Sequence, residues 1–108
     1  MPTTGAYEFK LAVDAHEGVI SDENKIQRGE WAWIDRTQEA AGSRRWLMVY
    51  ARCPDCGLLA TVWRLGSSAG HSHELDATGL LTPSVQCPHE PCGFHTQPTK
   101  LSGFVDLR

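Results

Sequence analysis

Four cysteines are the residues whose type and spacing could do chemistry. They fall in two short turns, Cys53-Pro54-Asp55-Cys56-Gly57 and Cys87-Pro88-His89-Glu90-Pro91-Cys92-Gly93. In each, a proline follows the first cysteine and a glycine follows the second. Proline presets φ near −65° and tightens the turn. Glycine permits the left-handed backbone that carries the chain away after the second ligand. Backbone N–H groups in such a turn can point at the sulfurs and offset thiolate charge. Two turns of this kind, separated by strands, predict one tetrahedral four-sulfur site of the zinc-ribbon type. Cys53, Cys56, Cys87 and Cys92 are therefore the expected ligands of one structural Zn²⁺ per chain.

Other uses of these cysteines stay open at this point. Two disulfides would need an oxidising compartment. A redox Cys-x-x-Cys would sit near a βαβ pattern, and here the motif follows a lone strand. Four thiolates also suit iron. His89 or His95 could replace one cysteine. Catalysis at the metal is not expected, because four sulfurs leave no open position. No His-x-Glu precedes either turn, as zinc deaminases require. His71-Ser72-His73-Glu74 is not the His-Glu-x-x-His of metalloproteases. No phosphate-cradling glycine loop and no Gly-x-Ser-x-Gly elbow is present. The expectation is a protein that is not an enzyme.

Strands must position these turns. Tyr7, Phe9, Leu11 and Val13 alternate with polar or small residues, the period-2 signature of a half-buried strand. Residues 16–29 read as a loop or a short helical turn. Trp31-Ala32-Trp33-Ile34 reads as a second strand with both indoles on one face. Residues 37–43 read as a connection holding a turn of helix. Arg45–Ala51 is apolar on both faces and should lie centrally in a sheet. It runs into Cys53, and Leu58–Trp63 leaves Gly57, so the first cysteine turn sits at the tip of a hairpin. Residues 71–75 suggest a short strand and residues 77–79 a turn. Leu80–Gln86 is an edge or broken strand because of Pro83. Leu101–Leu107 reads as a closing strand interrupted by Gly103. The fold class is mostly β: one small zinc-ribbon-like domain (46–108) with an N-terminal β extension (1–45).

The chain has 108 residues, 41% of them hydrophobic and 21% charged. That length makes one domain with a modest core, which a metal staple would help. Formal net charge is −3; four thiolates add −4 and zinc +2, giving −5. A negative protein does not bind phosphate backbones indiscriminately. Charge is uneven, however. Residues 1–35 carry seven acids and three bases, whereas residues 36–64 carry Arg36, Arg44, Arg45, Arg52 and Arg64 against Glu39 and Asp55. Nucleic-acid binding through Arg36–Arg64 is the alternative reading. The N-terminus shows no basic stretch followed by an apolar run, so the expectation is a cytoplasmic protein, not secreted and without a membrane partner.

The second cysteine turn carries a resemblance. Thr82-Pro83-Ser84-Val85-Gln86-Cys87-Pro88, then Cys92-Gly93-Phe94-His95 and Leu101-Ser102-Gly103-Phe104, with His73 ahead of the Thr78-Gly79 turn, resembles the C-terminal signature of small bacteriophage proteins with no established activity. It covers roughly residues 71–105 and the first cysteine pair. The family pattern ends in Leu-x-Gly-Trp, where this chain has Phe104. The resemblance implies a phage origin: a host-interaction factor in the host cytoplasm, or a minor virion component. The leading expectation is binding to a protein partner. Tryptophan dominates many interfaces, so Trp31 and Trp33, with Arg44 and Arg45 as a polar rim, are the candidate partner surface. Core packing is the competing role for both indoles, and the expected one for Trp46 and Trp63.

Overall fold

The computed structural model describes residues 2–39, 45–65 and 73–108. These hold eight strands: β1 (Thr4–Leu11), β2 (Glu30–Asp35), β3 (Leu47–Arg52), β4 (Leu59–Arg64), β5 (Glu74–Leu75), β6 (Leu80–Thr82), β7 (Val85–Gln86) and β8 (His95–Leu101). Short 3₁₀ turns occupy Glu23–Lys25, Thr37–Glu39 and Glu90–Cys92. The domain is small and mostly β. Its strands form one sheet in the order β4-β3-β2-β1-β8-β6-β5, and β7 also pairs with β8.

The N-terminal strands are the middle of this sheet. β1 runs parallel to both neighbours, setting Leu11 beside Trp31 of β2 and Phe9 beside Leu101 of β8. Parallel neighbours need a crossover between them, and residues 12–29 supply it. The crossover folds back along β2: the N–H of Ile20 donates to the Trp33 carbonyl and the N–H of Trp33 to the Gly18 carbonyl. Ala12, Ile20 and Ile26 thereby cover Ala32, Ile34 and Met48, a small second core on the outer face.

The main core lies on the other face. Alternation in β1 and β2 sends Phe9, Trp31 and Trp33 inward, where they meet Leu47, Val49, Leu81, Phe94 and Leu101. Trp31 and Trp33 share one face, as their i, i+2 spacing requires. β3 is buried on both faces, and it lies between β2 and β4.

Two stretches depart from the sequence reading. Residues 102–108 form no strand; the last strand is β8 at His95–Leu101. Trp46 precedes β3 and is 37% exposed rather than in the core. The broken strand at Pro83 is observed as β6 and β7. Residues 40–44 and 71–72, which fall in the expected connection and short strand, lie outside the described residues.

The sheet curls until β4 and β7 face each other. Between them lies a mainly apolar cleft of about 200 Å³, with Ala60, Thr61 and Val62 on one side and Val85 and Gln86 on the other. Phe9, Phe94, Cys53 and Cys87 also line it.

Candidate metal centre

The two cysteine turns are built alike. In the first, the N–H of Cys53 donates to the Leu58 carbonyl at 2.9 Å, and Gly57 turns the chain at φ 82°. In the second, the N–H of Cys87 donates to the Phe94 carbonyl at 2.9 Å, and Gly93 turns it at φ 78°. Each closing bond runs from the first cysteine to the residue two places beyond the second. The longer second turn takes up its extra residues in the 3₁₀ turn Glu90–Cys92, where the Cys92 N–H donates to the His89 carbonyl.

β3 and β4 present the first turn; β7 and β8 present the second. Together they bring the four Sγ atoms within 4.8 Å of one another. Cys53 and Cys92 approach to 3.5 Å, Cys56 and Cys87 to 3.6 Å. Sulfurs around a tetrahedral ion with bonds of ~2.3 Å stand about 3.8 Å apart. A disulfide would need about 2.0 Å. The cysteines are free thiols spaced to hold a metal ion.

The electrostatics calls for a cation. The backbone N–H of Leu58 pulls the Cys56 thiol down to about 6. Burial pushes Cys87 up to about 12, and the neighbouring sulfurs of Cys56 and Cys53 add to the rise. Burial and the neighbouring sulfurs thus oppose a thiolate at Cys87, a cost that a bound cation would offset. The fold does prepare for charge on sulfur, since the N–H groups of Leu58, His89 and Phe94 bond Cys56, Cys87 and Cys92. The donor set fits a soft, four-coordinate metal.

Supports surround the cluster. Arg28 donates to the carbonyls of Asp55 (3.1 Å) and Cys56 (3.4 Å). Arg52 donates to the carbonyls of Gly57 and Ile26. These two guanidiniums tie the crossover to the first turn and place positive charge beside a sulfur-rich centre. Tyr7 of β1 lies near the centre; burial raises its hydroxyl pKa, with Asp55 and Cys53 adding to the rise. The spacing of the cysteines carries no signal for Arg28 or Tyr7, because both come from distant sequence. Neither histidine belongs to the four-sulfur cluster: His95 Nε2 lies 3.1 Å from the Ser84 hydroxyl, while His89, exposed within the second turn, hydrogen-bonds the Cys56 sulfur through its side chain.

No family model, curated protein or solved structure matches the chain.

The candidate partner surface does not assemble. Trp31 and Trp33 are 0% exposed, and their indole N–H groups bond the carbonyls of Ser102 and Val105. Packing won over exposure because both side chains fall on the inward face of β2. Arg45 is exposed and donates to the Leu107 carbonyl. Arg44 lies outside the described residues. No helix among the described residues is long and apolar enough to cross a membrane.

Proposed function

We propose that this chain is a non-catalytic module whose fold is closed by one structural Zn²⁺ on Cys53, Cys56, Cys87 and Cys92, and that it acts by binding a protein partner. The convergence of four sulfurs carries this reading. Zinc suits it best among soft metals because it asks only for a closed tetrahedral thiolate shell. A filled shell leaves the metal no substrate position. Binding energy at such a site becomes folding energy, about 10–16 kcal/mol in small zinc peptides. The resemblance at residues 71–105 supports a phage origin, with action in the host cytoplasm or in the virion.

A protein partner is favoured over nucleic acid by how the arginines are used. Arg36 pairs with Glu23 at 2.9 Å, Arg45 bonds the Leu107 carbonyl, and Arg52 bonds two backbone carbonyls. The fold orients these three guanidiniums while Arg64 stays exposed, and the net charge of −3 opposes long-range attraction to phosphates. The test has two arms. Elemental analysis of purified protein should give one zinc per chain, and titration with single- and double-stranded DNA should show only weak, salt-sensitive binding. Tight retention at physiological salt would reverse the choice of partner class.

A further inference from the structure

The start of the chain crosses both cysteine turns. Asp55 stands between the cysteines of the first turn, and its carboxylate takes two hydrogen bonds from one residue: Oδ2 from the Thr3 N–H at 2.6 Å and Oδ1 from the Thr3 hydroxyl at 2.7 Å. Pro2 packs on the second turn; a β-carbon placed on Gly93 would lie 3.2 Å from its ring carbons. The Thr3 carbonyl accepts from the His95 N–H at 3.1 Å, and Thr4 and Gly5 then pair with His95 and Thr96 of β8.

We infer that Asp55 and Thr3 form a strap coupled to the metal centre, with Asp55 as a positioning residue for the ion. The inference rests on the metal reading above. The first turn belongs to the β3–β4 end of the sheet and the second to the β7–β8 end. Among the described residues no strand pairing joins β4 to β7. An ion held by all four sulfurs would link the two turns directly, and residues 2–4 link them a second time across the surface. An ion fixes the backbone of the first turn and so fixes the carboxylate that Thr3 must meet. Charge-assisted bonds of this kind are stronger than neutral ones. The Thr3–Asp55 bonds lie directly beside the Thr4–His95 pairing, so the seating of β1 on β8 depends on that carboxylate. Coupling of two binding events is reciprocal: the ion orders the strap, and the strap raises the affinity for the ion.

Asp55→Asn keeps the side-chain shape and one acceptor oxygen but removes the carboxylate charge, so the bonds from Thr3 are no longer charge-assisted. The variant retains all four cysteines and should still bind one zinc per chain. Its zinc affinity, measured against a competing chromophoric chelator, should fall about tenfold, the lower end for loss of a group that orients metal ligands. Hydrogen–deuterium exchange at residues 3–9 should quicken by about tenfold in the zinc-loaded variant, and also in the wild-type chain stripped with chelator. Thr3→Ala, which keeps the backbone bond, should give smaller shifts in the same direction and serves if Asp55→Asn does not fold. Unchanged affinity and unchanged N-terminal exchange in the variants would overturn the strap while leaving the zinc reading intact. N-terminal protection that survives chelation while the cysteine turns open would also overturn it. A wild-type chain that binds no zinc would remove the metal reading and the coupling together.

Discussion

The indole Nε1 of Trp33 donates to the carbonyl of Val105 at 2.6 Å, seventy-two positions away. Trp31 makes the equivalent bond to Ser102 at 2.8 Å. Two tryptophans of one strand thus fasten the segment after β8 over the core. Phe104 of that segment packs on both rings at centroid distances of 5.7 and 6.1 Å. Trp63 meets Trp33 edge-on at 5.8 Å, and Arg108 caps Trp63 at 5.1 Å.

Trp33→Ala should therefore destabilise the zinc-loaded protein by about 3–5 kcal/mol, the usual cost of truncating a buried tryptophan. Trp33→Phe keeps most of the ring but leaves the Val105 carbonyl without this donor, so its cost should be smaller. Urea unfolding with zinc present measures both. A stable Trp33→Ala variant that has lost only partner capture would return these residues to a surface role.

The cysteine centre was legible because its signal is local. Ligand spacing, proline and glycine all lie within the two turns, and the hairpin carrying the first turn announces itself as two apolar runs. β8 was not legible for the converse reason. His95-Thr96-Gln97-Pro98-Thr99-Lys100-Leu101 shows no hydrophobic alternation, and its inward positions include Thr96 and Thr99, 1% and 0% exposed. Its strand character comes from neighbours on both edges, β1 on one side and β6 and β7 on the other. The Asp55–Thr3 contact was invisible too, since its partners are fifty-two positions apart. The exposure of Trp46 is likewise set by where β3 begins, which composition does not reveal.

Metal dependence should separate the cysteines from the nearby histidines. Cys56→Ser or Cys87→Ser should abolish stoichiometric zinc binding and largely unfold the β3–β4 and β7–β8 ends, because ligand loss removes a large share of a typical ~5–15 kcal/mol stability. His89→Ala and His95→Ala should keep one zinc per chain, since neither side chain belongs to the four-sulfur cluster. Metal content and circular dichroism on these four variants and on Cys92→Ser check this. Zinc lost from His95→Ala but kept by Cys92→Ser would mean a different ligand set.

Asp76 gives an acid-side prediction away from the metal. Its Oδ1 accepts from the Thr78 hydroxyl, the Thr78 N–H and the Leu80 N–H at 2.6, 2.8 and 3.1 Å. The Thr78 hydroxyl bond, then the two N–H bonds, lower its carboxyl below the usual range. A carboxyl depressed by folding contributes stability above its unfolded value, near 3.9, and loses it as pH falls through the folded value. The gap in stability between wild type and Asp76→Ala should then be constant from about pH 8 to about pH 5 and shrink below about pH 4. Denaturant melts across that range measure it; a gap that widens in acid would contradict the sign.

The buried pair in β8 offers the sharpest packing test. Thr96 and Thr99 face the interior with their hydroxyl oxygens 2.6 Å apart, and the Thr99 hydroxyl also lies 3.1 Å from the Thr96 carbonyl as its donor. If Thr99 spends its proton on that carbonyl, Thr96 donates to Thr99. Thr99→Val then strands the Thr96 proton in a dry site, at a cost of about 1–3 kcal/mol for an unsatisfied buried group. Thr96→Val leaves Thr99 still donating, so it should cost less. The double variant replaces both partners with side chains of the same shape, and such replacements are nearly neutral. Unfolding of the three variants should thus show strong non-additivity, with the double variant more stable than Thr99→Val alone. Additive costs would mean that the hydroxyls do not depend on each other and that β8 is held by its backbone ladder.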